Sequence, residues 1–254
     1  MASPFDLKGK VAIITGSSRG IGRAAAEIMA ELGAKVVVSS RKAEPCEEVA
    51  KSIRAKGGEA IVIPCNIGRR EEVEALVSRT TKELGPADIL VCNAAVNPHY
   101  GPLHQITDEA FDKIMSSNVK SNLWLCNLTI PGMAARGGGA VVIVSSIGGL
   151  RGSDVIGAYN ISKSADFGLA RSLAVEWGPK NVRVNCVAPG LIKTDFARAL
   201  WEDPKSLEWR NQRTPLRRIG APEEVGGVIA FLASSAAGFI TGETLVVDGG
   251  VMIA

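Results

Sequence analysis

Short β-branched runs alternate with longer helical stretches along all 254 residues of the chain, and that rhythm leaves few folds open. Runs at 11–15, 35–39, 60–64, 89–93, 140–144, 183–187 and 244–247 read as strands. Helical patterns fall between them, near 21–32, 45–55, 71–84, 109–135, 159–177 and 222–234. The apolar runs do not alternate with polar residues, which indicates strands covered on both faces, as in a parallel sheet. Strand–helix alternation then builds right-handed crossovers. The expectation is an α/β fold: a mostly parallel, doubly wound seven-stranded sheet with helices on both faces. No low-complexity linker or internal repeat divides the chain, so residues 1–254 read as a single domain.

The rhythm breaks once, between 189 and 221. Thirty residues without a strong pattern inside a compact domain suggest a lid or binding segment. This flap carries Phe196, Trp201 and Trp209, with seven basic residues against four acidic ones.

The first strand runs straight into Thr15-Gly-Ser-Ser-Arg-Gly-Ile-Gly22. Glycines at 16, 20 and 22, between a strand and a helix, allow a tight turn and close approach of a pyrophosphate. The helix N-terminus adds N–H donors and the positive end of its dipole. In this strand–turn–helix context the pattern reads as the dinucleotide loop of a Rossmann domain, with Gly16, Ser18, Arg19, Gly20, Ile21 and Gly22 as cofactor contacts. An acid at the end of strand two would accept from a ribose 2′-hydroxyl and repel a 2′-phosphate. The chain has Ser39-Ser40-Arg41-Lys42 there instead. Ser40 and Arg41, with Arg19 from the other side, suit a 2′-phosphate, so the expected cofactor is NADP(H).

Tyr159 precedes Lys163 by one helical turn, and Ser146 stands thirteen residues upstream. Side chains at i and i+4 share a helix face, with Cβ atoms about 5–6 Å apart. A phenol titrates near 10, and a fixed ammonium beside it pulls that value toward neutrality. Such a tyrosine can give a proton to a carbonyl oxygen or take one from an alcohol.

The whole chain resembles the short-chain dehydrogenase/reductase family. The resemblance rests on Thr15-Gly-x-x-x-Gly-x-Gly22, Asn93-Ala-Ala, Asn118, Ser146, Tyr159-x-x-x-Lys163, Pro189-Gly190 and Val247-Asp-Gly-Gly250. Within the family, Asn93-Ala-Ala-Val-Asn-Pro98 and Cys186-Val-Ala-Pro-Gly-Leu-Ile-Lys-Thr194 look like the NADP-dependent carbonyl/retinal reductases of the dehydrogenase/reductase member 4 type. The resemblance implies Tyr159 as general acid or base, and Lys163 as its tuning cation and holder of the nicotinamide ribose. It implies Ser146, rather than its neighbour Ser145, as donor to the substrate oxygen. Asn118 would position a water linking Lys163 to solvent. Further cofactor contacts implied are Asn66, Ile67, Asn93, Ala94, Pro189, Gly190, Ile192 and Thr194. Val96, Phe196 and Trp201 are the expected substrate contacts besides Ser146 and Tyr159. Asn66 stands where the family often has Asp, and Ala95 where Asn-Ala-Gly is usual.

The expected reaction is NADPH-dependent reduction of a ketone or aldehyde on an apolar small molecule. One alternative is reduction of a 3-oxoacyl thioester carried by an acidic carrier protein, with Arg136 and Lys180 as a docking patch. Another is a catalytically silent cofactor-binding scaffold, against which the complete Asn118/Ser146/Tyr159/Lys163 set argues. A homotetramer is implied, with the helices near 109–135 and 159–177 at one interface.

Composition narrows the rest. A net charge of +3 without basic runs interleaved with aromatics gives no ground for a nucleic-acid partner. The five cysteines have no CxxC spacing, and with His99 and His104 they match no familiar zinc pattern, so no metal is expected and a reducing compartment is. The N-terminal residues lack a basic and an apolar region, and no peroxisomal Ser-Lys-Leu ends the chain. The uncharged run at 225–242 holds four glycines and reads as a buried helix with its exit loop, not a membrane span. A cytoplasmic location is the expectation.

Overall fold

A computed structural model describes residues 3–254; Met1 and Ala2, part of the N-terminal stretch considered above, lie outside the described residues. Seven strands form one sheet in the order β3-β2-β1-β4-β5-β6-β7, with every neighbouring pair parallel. They are β1 (Val11–Thr15), β2 (Lys35–Ser39), β3 (Glu59–Val62), β4 (Ile89–Cys92), β5 (Gly139–Val144), β6 (Val182–Pro189) and β7 (Thr244–Val247).

Alternate strand residues enter opposite cores, as the two-residue pleat requires. Ala12, Ile14, Val36 and Val38 pack with α1 (Gly20–Glu31), α2 (Ala43–Ala55) and α9 (Pro222–Ala233). Ile13, Val37, Leu90 and Val141 pack with α3 (Arg70–Glu83), α5 (Ser121–Ala135) and α6 (Gly157–Trp177) on the other face. These strand residues are fully buried, which is why their runs show no polar alternation.

The helix expected over 109–135 is α4 (Asp108–Met115) and α5 joined by a π-helical turn at Ser116–Lys120. Wide turns of this kind often occur at functional sites, and this one contains Asn118. The flap holds helices rather than an unstructured loop: a 3₁₀ turn at Asp195–Ala197, then α7 (Arg198–Trp201) and α8 (Pro204–Arg213). Asp203 caps α8, accepting from Ser206 N at 2.7 Å. The uncharged run at 225–242 lies in α9, a 3₁₀ turn at Ser235–Ala237 and the segment leading to β7. No helix among the described residues is long and apolar enough to cross a membrane.

The chain starts at β1, works outward to β3, then returns to lay β4 on the other side of β1. That reversal opens a crevice at the carboxyl ends of β1 and β4, where ligands bind in open α/β sheets.

Candidate active site

A cavity of about 550 Å³ opens at this point. At one end lie Gly16, Ser18, Arg19, Gly20 and Ile21; at the other lie Ser146, Tyr159 and Lys163. Two glycines show why the first end demands their type. Gly20 sits at φ +57°, and a Cβ there would lie 3.1 Å from Thr194 Cγ2, so its bare backbone lets the flap close over the loop. Gly22 does not line the cavity. A Cβ on it would come 2.4 Å from Asn93 Nδ2 and 2.5 Å from Gly16 O, so this glycine serves the seating of α1 on the sheet. Asn93 is likewise spent on the loop, with Nδ2 donating to Thr15 O at 2.8 Å and Gly16 O at 3.1 Å.

The first turn of α1 has no side-chain cap and no acidic residue, leaving its N–H donors to an anion. Ser39 Oγ, on the cavity wall, is buried without a hydrogen-bond partner. These features fit a dinucleotide. Ser40, Arg41, Asn66, Ile67, Ala94, Pro189, Gly190, Ile192 and Thr194 also line the cavity. Asn66 Oδ1 accepts from Gly68 N at 3.1 Å, shaping the turn after β3. Arg41 is exposed, whereas Arg19 pairs with Asp195 of the flap at 3.4 Å. Both members of that pair are largely solvated, so it holds Arg19 by no more than about 1 kcal/mol.

At the other end, the side chains of Ser146 and Tyr159 line the cavity together, and the Ser146 hydroxyl accepts from Gly148 N at 3.0 Å. Ser145 is committed elsewhere, since its Oγ donates to Lys163 O at 2.8 Å and ties β5 to α6. Lys163 is 2% exposed, and its Nζ donates to Val144 O at 2.9 Å and to Asp166 Oδ2 at 3.1 Å. Nζ stands 5.8 Å from the Tyr159 ring centroid.

Two expectations need correction, and one alternative loses part of its support. Lys163 does not by itself set the phenol: burial pushes Tyr159 above the usual tyrosine value, and Lys163 opposes this only in part. Burial pulls the Lys163 ammonium down, but Asp166 and Tyr159 more than offset it and leave it raised. Trp201 does not line the cavity; its Nε1 donates to Thr194 O at 3.0 Å and braces the flap, while Val96, Phe196 and Tyr100 form the wall. Arg136 is not a free docking cation, because it donates to Gly132 O at 2.7 Å and Ala87 O at 2.6 Å. Asn118, expected to position a water, does not line the cavity but is buried beside the loop after β4, with Oδ1 accepting from Val96 N at 2.8 Å and Nδ2 donating to Ser162 Oγ at 3.0 Å. Its carbonyl accepts from Asn122 Nδ2 at 2.7 Å, a partner that no sequence motif marks. Asp166 is a further site residue that no motif marks, although its i+3 offset from Lys163 places both on one helix face.

The model of the family described as enoyl-(acyl carrier protein) reductase matches residues 16–252. The chain belongs to the short-chain dehydrogenase/reductase family, oxidoreductases that use nicotinamide cofactors. Dehydrogenase/reductase SDR family member 4 of Bos taurus is 46% identical over 250 residues, 98% of this chain and 90% of that protein. Its Homo sapiens counterpart is 45% identical over 244 residues, 96% of this chain and 88% of that protein. Among solved structures, gluconate 5-dehydrogenase from Burkholderia cenocepacia, in complex with NADP and tartrate, is 32% identical with a TM-score of 0.93, covering 99% of this chain and 98% of that one. A 7α-hydroxysteroid dehydrogenase complexed with NADH and 7-oxo glycochenodeoxycholic acid is 35% identical with a TM-score of 0.94, covering 98% of each chain.

Proposed function

We propose that the chain is an NADP(H)-dependent reductase of ketones or aldehydes, acting reversibly on an apolar small molecule. The observation that carries this reading is the placing of Ser146, Tyr159 and Lys163 at the end of a cavity whose other end is the glycine loop. The bound cofactor supplies hydride to the carbonyl carbon. Ser146 donates its hydroxyl to the substrate oxygen, an interaction that strengthens as negative charge grows there. Tyr159 gives that oxygen its phenolic proton. Lys163 favours the phenolate left behind and presents its remaining N–H donor to the cavity.

Preference for NADP over NAD rests on Arg41, exposed at the end of β2 and lining the cavity, with no acid from Ser39 up to Glu44 in the chain. The substrate class rests on Val96, Tyr100, Ile147, Ile156, Phe196 and Leu200, which wall the cavity around Tyr159. Exposed Leu123 and Leu128 on α5, with Ile161 and Val175 on α6, support a homotetramer packed through these helices. Five buried free cysteines support a reducing, cytoplasmic setting.

Loss of reduced-cofactor absorbance with NADPH or NADH and a panel of diketones, retinal and acetoacetyl thioesters tests the reading. Turnover is expected with a diketone or retinal and NADPH. Turnover confined to the thioesters would replace the substrate class, and tight NADPH binding without any turnover would leave a scaffold role.

A further inference from the structure

Behind Tyr159 the protein buries an ion pair that the proton-transfer chemistry does not by itself require. Asp166 is 0% exposed, and its Oδ2 accepts from Lys163 Nζ at 3.1 Å. Its other oxygen accepts from Asn122 Nδ2 at 3.0 Å, and the same amide donates to Asn118 O at 2.7 Å. A continuous buried chain of side chains therefore joins the π-helical turn to Lys163. We propose that Asp166 is a positioning residue of this site, holding the Lys163 ammonium by charge and hydrogen bond and fixing the net charge that Tyr159 meets.

The physical case starts from the ammonium's three donors. Val144 O takes one and Asp166 a second, which leaves the third for the cavity that Lys163 lines. Without the carboxylate, an ammonium 2% exposed would keep one neutral acceptor, a costly state for a buried charge. With it, the pair is close to neutral, so Tyr159 feels less positive charge than Lys163 alone would supply. This agrees with the direction of the phenol, which burial raises, Lys163 lowers and Asp166 raises again. Asp166 is itself fixed from three sides. Besides Lys163 and Asn122, Cys186 on β6 donates to its backbone carbonyl at 3.4 Å.

The titratable groups facing Asp166 are Tyr159 and Lys163 on its own helix, Cys186 on β6, Cys92 on β4 and Cys126 on α5, with Arg171 acting on Cys186. Burial raises the Cys186 thiol, and the neighbouring Cys126 together with burial raises Cys92, so neither ionises across an ordinary assay range.

The inference rests on Tyr159 being the proton donor, and the test separates the two. Asp166→Asn keeps the shape and removes the charge. Lys163 is then unopposed, the phenolate is favoured, and the acid limb of alcohol oxidation with NADP⁺ moves down by about one pH unit. The basic limb of carbonyl reduction moves down with it. A purely structural role would lower kcat without moving either limb, and superposable normalised profiles would overturn the proposal. A second measurement needs no turnover. The chain has two tyrosines, so Tyr100→Phe leaves Tyr159 as the one tyrosinate signal near 295 nm. Its midpoint in the cofactor-free protein is expected above the ordinary value of about 10, and lower once Asp166→Asn is added. A midpoint at or below 10 with Asp166 present overturns the proposal, even where Asp166→Asn does not fold. An inactive protein whose midpoint still moves with Asp166 would refute the reductase reading and leave this one standing.

Discussion

At the nucleotide end of the cavity, Gly16, Gly20 and Gly22 matter through the side chains they lack. At the far end, Ser146, Tyr159, Lys163 and Asp166 are polar side chains packed against or within the core. The first end is a matter of backbone: a missing Cβ admits Thr194 at Gly20 and seats α1 at Gly22. The second is a matter of mutual satisfaction, since each buried polar group there needs a partner from another element. Damage to the two ends should therefore look different. Change at the glycine end acts on packing and affinity. Change at the far end acts on rate and its pH dependence.

The largest expected effect follows from removing one oxygen. Tyr159→Phe keeps the ring beside Phe196, whose centroid lies 6.1 Å away, and deletes the proton donor. Steady-state assays should show kcat reduced by roughly a thousandfold or more, with NADPH affinity changed less than about threefold. Substantial residual turnover would remove Tyr159 from its role and with it the contrast between the ends.

Arg41→Asp should weaken NADPH by roughly tenfold or more while sparing or improving NADH, because an acid at this edge repels a 2′-phosphate and accepts from a 2′-hydroxyl. The ratio of kcat/KM for the two cofactors reads this directly, and an unchanged ratio would refute the charge argument at β2. Arg19→Ala should have the smaller effect, since Arg19 is shared with Asp195.

Two glycines make a paired test of packing. Gly22→Ala places a methyl within 2.5 Å of Gly16 O, so thermal unfolding should show a loss of about 1–3 kcal/mol. Gly227→Ala, on an exposed face of α9 with nothing within 4 Å, should instead raise stability by about 0.5–1 kcal/mol. Equal effects at the two positions would mean that packing does not explain Gly22.

The smallest effect lies outside both ends, where α9 begins. Glu224 accepts from both Arg218 nitrogens and from Ala221 N at 2.8 Å, and the Arg218 hydrogen bond, with that backbone bond, holds it down to about 2. A carboxyl depressed in the folded state stabilises above its ordinary value near 4.5, and that contribution fades as pH falls toward 2. Glu224→Gln should cost about 1–2 °C in Tm at pH 7 and nothing near pH 2. A deficit that persists in acid would point to shape rather than charge.

Much of the molecule is legible in the chain itself. The bounds read for β1, β2 and β7 coincide with the observed strands, because each is a short apolar run closed by a turn. The glycine loop is legible for the same reason: strand, turn and helix are adjacent in the chain, so spacing carries the geometry. The pair Tyr159 and Lys163 is legible as one helix face. What escapes a linear reading depends on neighbours distant in sequence. Trp201 has the look of a substrate contact, yet its indole donates to Thr194 O. Arg136 has the look of a free cation, yet Ala87 O stands in front of it. Asp166 gives no signal beyond its spacing, because a lone acid on a helix is usually solvated.

The sequence by itself determined the layered sheet, the nucleotide cradle and the tyrosine–lysine pair, since periodicity and local spacing encode each of them. The tertiary structure decided how much charge Tyr159 meets. That depends on β5, α5 and α6 converging to bury Lys163, and electrostatics at 3 Å in a dry interior is set by which groups meet, not by where they stand in the chain.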